Sequence, residues 1–257
     1  MKELRENPIG RFSLRVQYYL KYRPKYPDKV ISYLRQRLNL TQSAVVADIG
    51  SGTGLLSEMF LKNGNFVCAV EPNNKMREAS KRLLEKYERL SLLKATAEDT
   101  RLESKSVDFV VAGQAFHWFN ADASKREFSR IIKPGGFVVL IWNVRSADAT
   151  AFLKDYEELL CHYAFDYQYE KCNDPSISRI KAFFYPYKYT LKTFENRQSV
   201  DYQGLLGRLL SSSYAPLPDN EQYQPMIHRL KEIFETHNKQ GVVSFEYVTK
   251  VYSGRIV

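Results

Sequence analysis

The chain has 257 residues, 44% hydrophobic and 26% charged, which suits one large globular domain; no run of ~18 apolar residues marks a membrane span, and the first residues lack the apolar core of a secretory signal. Cys68, Cys161 and Cys172 are an odd number without a C-x-x-C spacing, which argues against a disulfide framework and a zinc site and fits reduced thiols in a cytoplasm. The net charge of +9 is spread along the chain without a block of like charges, so it reads as a basic surface, or a mouth that draws in a small anionic substrate, before it reads as a nucleic-acid footprint.

Residues 1–43 precede the first strand and are crowded with Phe12, Leu14, Val16, Tyr18, Tyr19, Leu20 and Tyr22. Arg23-Pro24-Lys25-Tyr26-Pro27 breaks any helix there, because each proline removes a donor and restrains its predecessor. Asp28 then stands as the N-cap of a helix carrying Val30, Ile31, Leu34 and Leu38. Val45-Val46-Ala47 reads as a buried parallel strand that ends in Asp48. Gly50, Gly52 and Gly54 follow at alternate positions, and Leu55, Leu56, Met59 and Phe60 then share one helical face. Strand, glycine turn and helix open a nucleotide-binding βαβ unit. The spacing excludes a dinucleotide G-x-G-x-x-G, whose third glycine would have to replace Leu55 or Ser57, and a P-loop, whose Lys is missing.

The second strand, Phe66 to Val70, ends in Glu71-Pro72. An acid roughly 20 residues past the glycine turn is placed to accept two hydrogen bonds from a ribose diol. Asn73 caps a helix with Met76, Ala79, Leu83 and Leu84 inward, and a short third strand, Leu92 to Ala95, leads to Ala97-Glu98. The fourth strand, Ser106 to Ala112, runs into Gln114-Ala115-Phe116-His117-Trp118-Phe119. The ends of the first and fourth strands flank the point where strand order reverses, which is where open α/β sheets bind ligands. A helix over Asp122 to Ile132, the turn Lys133-Pro134-Gly135-Gly136 and a fifth strand from Phe137 to Trp142 complete this part. Beyond it come an aromatic helical stretch with Phe152, Tyr156 and Tyr163, a strand over Tyr189 to Phe194, helices over Tyr202 to Leu210 and Glu221 to His237, and a last strand over Val242 to Tyr252.

The D-x-G-x-G-x-G turn from Asp48 to Gly54 resembles the first motif of the class I S-adenosylmethionine-dependent methyltransferases. Tyr18 to Pro27 looks like the Y-x-x-x-R-P-x-Y-P entry segment, and Gln114 to Phe119 like the q-A-x-H-W-f signature, of the methyltransferase type 11 branch near the trans-aconitate methyltransferases. The K-P-G-G turn is frequent in the same class. The resemblance implies an α/β fold: a doubly wound, mostly parallel, seven-stranded Rossmann-like sheet with an antiparallel last strand. It also implies a single domain, with an N-terminal helical lid (1–43), a cofactor-binding core (44–143), a helical insertion or substrate cover (144–186) and a C-terminal part (187–257) of the sheet and helices. The cofactor it implies is S-adenosyl-L-methionine. Tyr18, Arg23, Asp48, Gly50, Ser51, Gly52, Gly54, Glu71, Pro72, Met76, Ala97, Glu98 and Gln114 are then expected around that cofactor, and Tyr22, Trp118, Trp142 and Arg145 around the acceptor.

His117 is the one histidine inside a motif, and an ordinary imidazole suits the removal of a proton from a hydroxyl or nitrogen acceptor. A carboxylate acceptor needs no base, and Arg145 could then orient it. The expected function is methyl transfer to a small anionic or polar molecule by in-line displacement, without a metal, in a cytoplasmic monomer or homodimer. Nucleic acid and membrane are not expected as partners. The rival readings are an RNA methyltransferase, prompted by the basic charge, and a regulator that binds the cofactor without consuming it.

Overall fold

The computed structural model describes residues 16–164, 167 and 177–257; the expectations for Phe12, Leu14, Cys172 and the rest of the segment around it lie outside them. The chain packs as two compact units. Among the described residues, a sheet unit holds 25–143, 177–194 and 249–257, and a helical unit holds 16–24, 144–164, 167 and 195–248. The sequence showed no such boundary.

In the sheet unit, β1 (Val45–Ile49) forms because Val46, Ala47 and Ile49 are apolar on both faces and wholly buried. It pairs in parallel with β2 (Phe66–Val70) on one side and β4 (Val107–Gly113) on the other, and β3 (Leu90–Leu93) pairs in parallel with β2. With β5 (Ile132–Arg145), β6 (Tyr189–Val200) and β7 (Val243–Gly254), the seven strands run in the order β3-β2-β1-β4-β5-β7-β6, a mixed sheet with an antiparallel last strand. Strand order therefore reverses between β1 and β4, as the sequence implied. The helices of this unit are α2 (Lys29–Leu38), α3 (Leu55–Lys62), α4 (Asn74–Leu84) and α5 (Ala121–Ile131). Asn73 caps α4 through the amide of Met76, and Asn120 caps α5 through that of Ala123. Asp28 occupies the cap position of α2, but its side chain makes no cap hydrogen bond. The core gathers Val30, Leu34, Phe60, Val67, Val111, Ile141 and Val251, each with no solvent exposure.

β5 (Ile132–Arg145) is longer than expected, because the Lys133-Pro134-Gly135-Gly136 stretch is taken into the strand. Its register against β4 shifts between Val107 and Phe109, which absorbs the extra residues. The Lys133 ammonium pairs with the Asp108 carboxylate at 2.9 Å, and that carboxylate also accepts the Val45 amide at 2.8 Å, so the bulge is tied to the start of β1. β6 (Tyr189–Val200) also runs past its expected end at Phe194. As the last strand in the sheet order it is an edge, and Lys192, Glu195 and Arg197 suit an edge that must not recruit further strands.

The helical unit contains α1 (Val16–Tyr22), α6 (Ala151–Tyr163), α8 (Tyr202–Leu210) and α9 (Tyr223–His237). α7 (Ile177–Phe184) and part of β7 (Val243–Gly254) lie in the sheet unit. The helical unit's own core includes Leu153, Leu160, Leu205, Leu209, Met226, Leu230 and Phe245, all unexposed. Asp201 caps α8 through the amide of Gly204 at 2.7 Å, and Thr150 caps α6 through that of Leu153. Gly207 of α8 lies so close under the Tyr22 ring that any side chain there would collide with it. No helix among the described residues is long and apolar enough to cross a membrane.

Candidate active site

The chain leaves β1 into the loop Gly50–Gly54, which is held against the end of β2. The amides of Gly50 and Ser51 both donate to the Val70 carbonyl, at 2.9 and 3.1 Å. Gly52 has φ +56°, a conformation that side chains disfavour, and an added Cβ there would meet nothing within 4 Å. Its outer face is therefore open to close approach by a ligand. Gly54 serves packing instead: a Cβ there would stand 2.5 Å from Leu84 of α4. The turn after β4 abuts the same loop, since a Cβ on Gly50 would lie 2.7 Å from that of Ala115.

Glu71 joins these pieces. One carboxylate oxygen accepts the Gly52 amide at 2.9 Å and the other accepts the Asn73 amide at 2.8 Å. Each oxygen keeps a second lone pair. Burial raises the pKa of Glu71 against the two amides and the Arg77 charge, which favour ionisation. Arg77, which the sequence did not single out, donates to the Glu71 carbonyl at 2.7 Å. Asp48 is wholly buried; one oxygen accepts the Ser57 hydroxyl at 2.6 Å and the other has no hydrogen-bond partner among the described residues. Burial first, and then repulsion from Glu71, push its pKa up to about 7 despite the Ser57 bond.

Met76 and Ala97 are buried, Met76 in the first turn of α4 and Ala97 in the loop after β3, while Pro72 is partly exposed. Glu98 has an oxygen committed to the Asn120 amide at 2.8 Å, so it fixes the start of α5. Gln114 has φ 54°, uncommon for a residue with a side chain and notable at the end of β4. Its Nε2 donates to the Asn143 carbonyl at 3.3 Å, and its Oε1 is buried without a partner among the described residues. Asn143 donates in turn to the Lys25 carbonyl at 3.3 Å and accepts the Thr249 hydroxyl at 2.6 Å. Tyr26 places its hydroxyl against Gly113, the last residue of β4. Neither Asn143 nor Tyr26 was predicted as a site residue, because only the folded sheet brings them to this strand end.

Phe116–Trp118 form a short 3-10 turn. Burial and the neighbouring Arg179 charge lower the His117 pKa to about 4, and Arg179 also donates to the Phe119 carbonyl at 2.7 Å. His117 is therefore neutral at pH 7 and a weak base. Trp118 is exposed, its ring 4.8 Å from that of His117. Trp142 is buried edge-on to Phe116 and Tyr252, with its indole N–H unpaired among the described residues.

Four of the expected site residues fall in the helical unit. Tyr18 and Tyr22 stack at 6.5 Å on α1, and Arg23 donates to the Ser211 carbonyl at 2.9 Å. Arg145 does not stand as a freely presented guanidinium beyond the fifth strand. It is partly buried, paired with Glu157, and donates to the Tyr167 hydroxyl at 2.7 Å. Sequence spacing could not reveal this, because both partners arrive from the segment after β5.

A protein ligand site built this way suits an adenosyl group with a charged amino-acid tail. The buried oxygens of Asp48, Ser51, Thr53 and Gln114, unpartnered among the described residues, and the face of Gly52, which no described residue covers, fit such a group. Residues 47–140 match the family described as "Methyltransferase domain". An uncharacterised methyltransferase of Schizosaccharomyces pombe is 25% identical over 97% of this chain and 98% of its own length. The malonyl-[acyl-carrier protein] O-methyltransferase of a Marinomonas species is 31% identical over 50% of this chain and 48% of its own. A solved structure from Anaeromyxobacter dehalogenans, provisionally titled a type II methyltransferase, superposes with a TM-score of 0.69 at 20% identity, over 92% of this chain and 99% of that one. The fold is that of the class I methyltransferases. Residues 47–140 carry the methyltransferase domain, and the chain is an enzyme whose methyl donor is S-adenosylmethionine.

Proposed function

We propose that the chain methylates a carboxylate oxygen of a small organic acid. The observation that carries this reading is the His117 imidazole, held to a pKa of about 4. A base that weak is poorly matched to a hydroxyl at neutral pH, whereas a carboxylate is already ionised and needs none. The O-methylation named for the malonyl relative supports the same choice.

Bound S-adenosylmethionine supplies an activated methyl on a sulfonium, which loses its charge as the methyl leaves. In our reading the free lone pairs of Glu71 accept the two ribose hydroxyls, and the face of Gly52 lies against the amino-acid tail. Met76, Ala97 and Glu98 border the adenine, and Gln114 borders the methyl. His117 then acts by holding the turn after β4, with Trp118 toward the acceptor. The chain's main contribution is alignment, which can supply ~7–11 kcal/mol when nucleophile, methyl and sulfur are held in line.

The test uses methyl-labelled S-adenosylmethionine with the purified chain and a small-molecule extract. Carboxylate methyl esters release methanol in alkali, and ethers and N-methyl groups do not. Volatile label after alkali is the expected result. Alkali-stable label in small molecules would overturn the carboxylate, and label in an RNase-sensitive fraction would make the chain an RNA methyltransferase.

A further inference from the structure

The stretch matched to the methyltransferase family ends at residue 140, yet the turn after β4 is also held by α7, which lies beyond it. Both the turn and α7 belong to the sheet unit. Arg179 stands in the first turn of α7. Its Nη2 donates to the Phe119 carbonyl at 2.7 Å, its Nη1 lies 3.5 Å from the His117 carbonyl, and its guanidinium lies over the Phe116 ring at 5.2 Å. One turn further along α7, Phe183 stands edge-on to Phe116 at 4.8 Å and to Phe128 of α5 at 6.1 Å. Ile180, Phe183 and Phe184 are buried, so the apolar face of α7 anchors the helix and presents Arg179 from a fixed support. Just past the helix, the Lys125 ammonium of α5 donates to the Tyr185 carbonyl.

The turn has little regular structure of its own. It is a single 3-10 turn, entered through Gln114 at φ 54°. Its own amides, those of Trp118 and Phe119, use the Ala115 and Phe116 carbonyls, and Arg179 takes that of Phe119 and approaches that of His117. A guanidinium suits this task, because its rigid fork offers donors to neighbouring carbonyls at once and never loses its charge. The same turn presses on the glycine loop: a Cβ on Gly50 would stand 3.3 Å from the Phe119 ring. The residue whose carbonyl Arg179 holds is thus the one whose ring lies against the loop after β1. That loop has anchors of its own in the Val70 carbonyl and Glu71.

We propose that Arg179 is a positioning residue for methyl transfer, fixing the turn after β4 against the glycine loop and so setting where Gln114 and Trp118 stand relative to the methyl. The inference rests on the placement of that turn beside the methyl, not on the acceptor being a carboxylate. A misplacement of about 1 Å can cost about a hundredfold in rate. Because the glycine loop keeps its own anchors, losing Arg179 acts on the transfer step and spares cofactor binding.

The test compares Arg179→Met and Arg179→Lys with wild type in the full chain. S-adenosylmethionine affinity is read by calorimetry, and transfer by the initial rate of label passing from saturating methyl-labelled S-adenosylmethionine to the small-molecule extract. The transfer rate of Arg179→Met should fall about ten- to a hundredfold, as expected for a lost hydrogen bond from a charge, while affinity stays close to wild type. Arg179→Lys, which can still bond one carbonyl, should recover part of the rate. The His117 pKa, followed by NMR, should rise from about 4 in Arg179→Met and stay low in Arg179→Lys, because only the first removes the charge beside it. Should Arg179→Met not fold, Arg179→Gln removes the charge, keeps one donor and gives the same readouts. A wild-type rate in a folded, uncharged variant would overturn the role, as would an affinity loss as large as the rate loss. Alkali-stable label whose transfer slows in Arg179→Met keeps the positioning role and removes the carboxylate acceptor. Alkali-labile label transferred at the wild-type rate does the reverse.

Discussion

Asp48 offers the sharpest test of the site's electrostatics. Its carboxyl is wholly buried and its pKa is raised to about 7 from an ordinary 3.8. The folded state therefore holds a proton that the unfolded chain releases, and stability falls as pH rises from about 4 to about 7, then stays level. Three pH units correspond to about 4 kcal/mol, the most that ionising this group can cost the ligand-free protein. Asp48→Asn keeps an acceptor for the Ser57 hydroxyl and removes the titration. In a chain of this size, about 4 kcal/mol is worth about 10 °C in melting temperature. Thermal melts of ligand-free wild type and Asp48→Asn should diverge between about pH 5 and about pH 7, with the variant gaining, and then keep a constant offset to about pH 8. Glu71 is also raised by burial and contributes a slope of the same sign in both proteins. Parallel curves would refute the reasoning, because they would mean that Asp48 ionises at no cost.

Glu71→Gln can accept only one of the two amides that the carboxylate now accepts, so S-adenosylmethionine affinity measured by calorimetry should fall about tenfold or more; unchanged affinity would contradict the ribose placement. His117→Gln should leave turnover of the carboxylate acceptor within about tenfold of wild type and flat across neutral pH, whereas a loss of ~10²–10⁴ would mark His117 as a working base. Gly207→Ala drives a methyl into the Tyr22 ring and should destabilise the helical unit by ~1–3 kcal/mol in denaturant titration. Adding Tyr22→Leu should return part of that loss, and no recovery would mean the two residues are uncoupled.

The sheet was legible because its signals are local. A buried apolar run, a terminal acid and alternating glycines specify β1 and its loop within ten residues, and Glu71 follows at the end of the next strand. The switch point between β1 and β4 follows from that order alone. What stayed hidden depends on partners distant in sequence. Arg145 read as a spare cation because Glu157 and Tyr167 come from beyond the strand. Arg208 sat in an ordinary amphipathic helix, and nothing nearby announced that its guanidinium would be buried. His117 read as an ordinary imidazole, and only the burial and Arg179 charge of the folded turn made it a weak base. β6 was cut short at Phe194 because its outer half carries charges, which belong to an edge strand.

The two units bury side chains of opposite charge. In the sheet unit, two carboxylates, Asp48 and Glu71, are buried near one another and both resist ionising. A ligand that brings positive charge relieves both, and S-adenosylmethionine carries a sulfonium and an ammonium. In the helical unit, by contrast, the guanidiniums of Arg145 and Arg208 lie over the rings of Tyr156 and Phe245. On the proposed carboxylate reading, the enzyme holds a cationic donor and an anionic acceptor at once, and the two would attract each other in solution without any preferred alignment. On that reading, product formation removes charge from both ligands together, since the sulfonium becomes a thioether as the carboxylate becomes an ester, so the charge interactions that gather the substrates weaken as the products form.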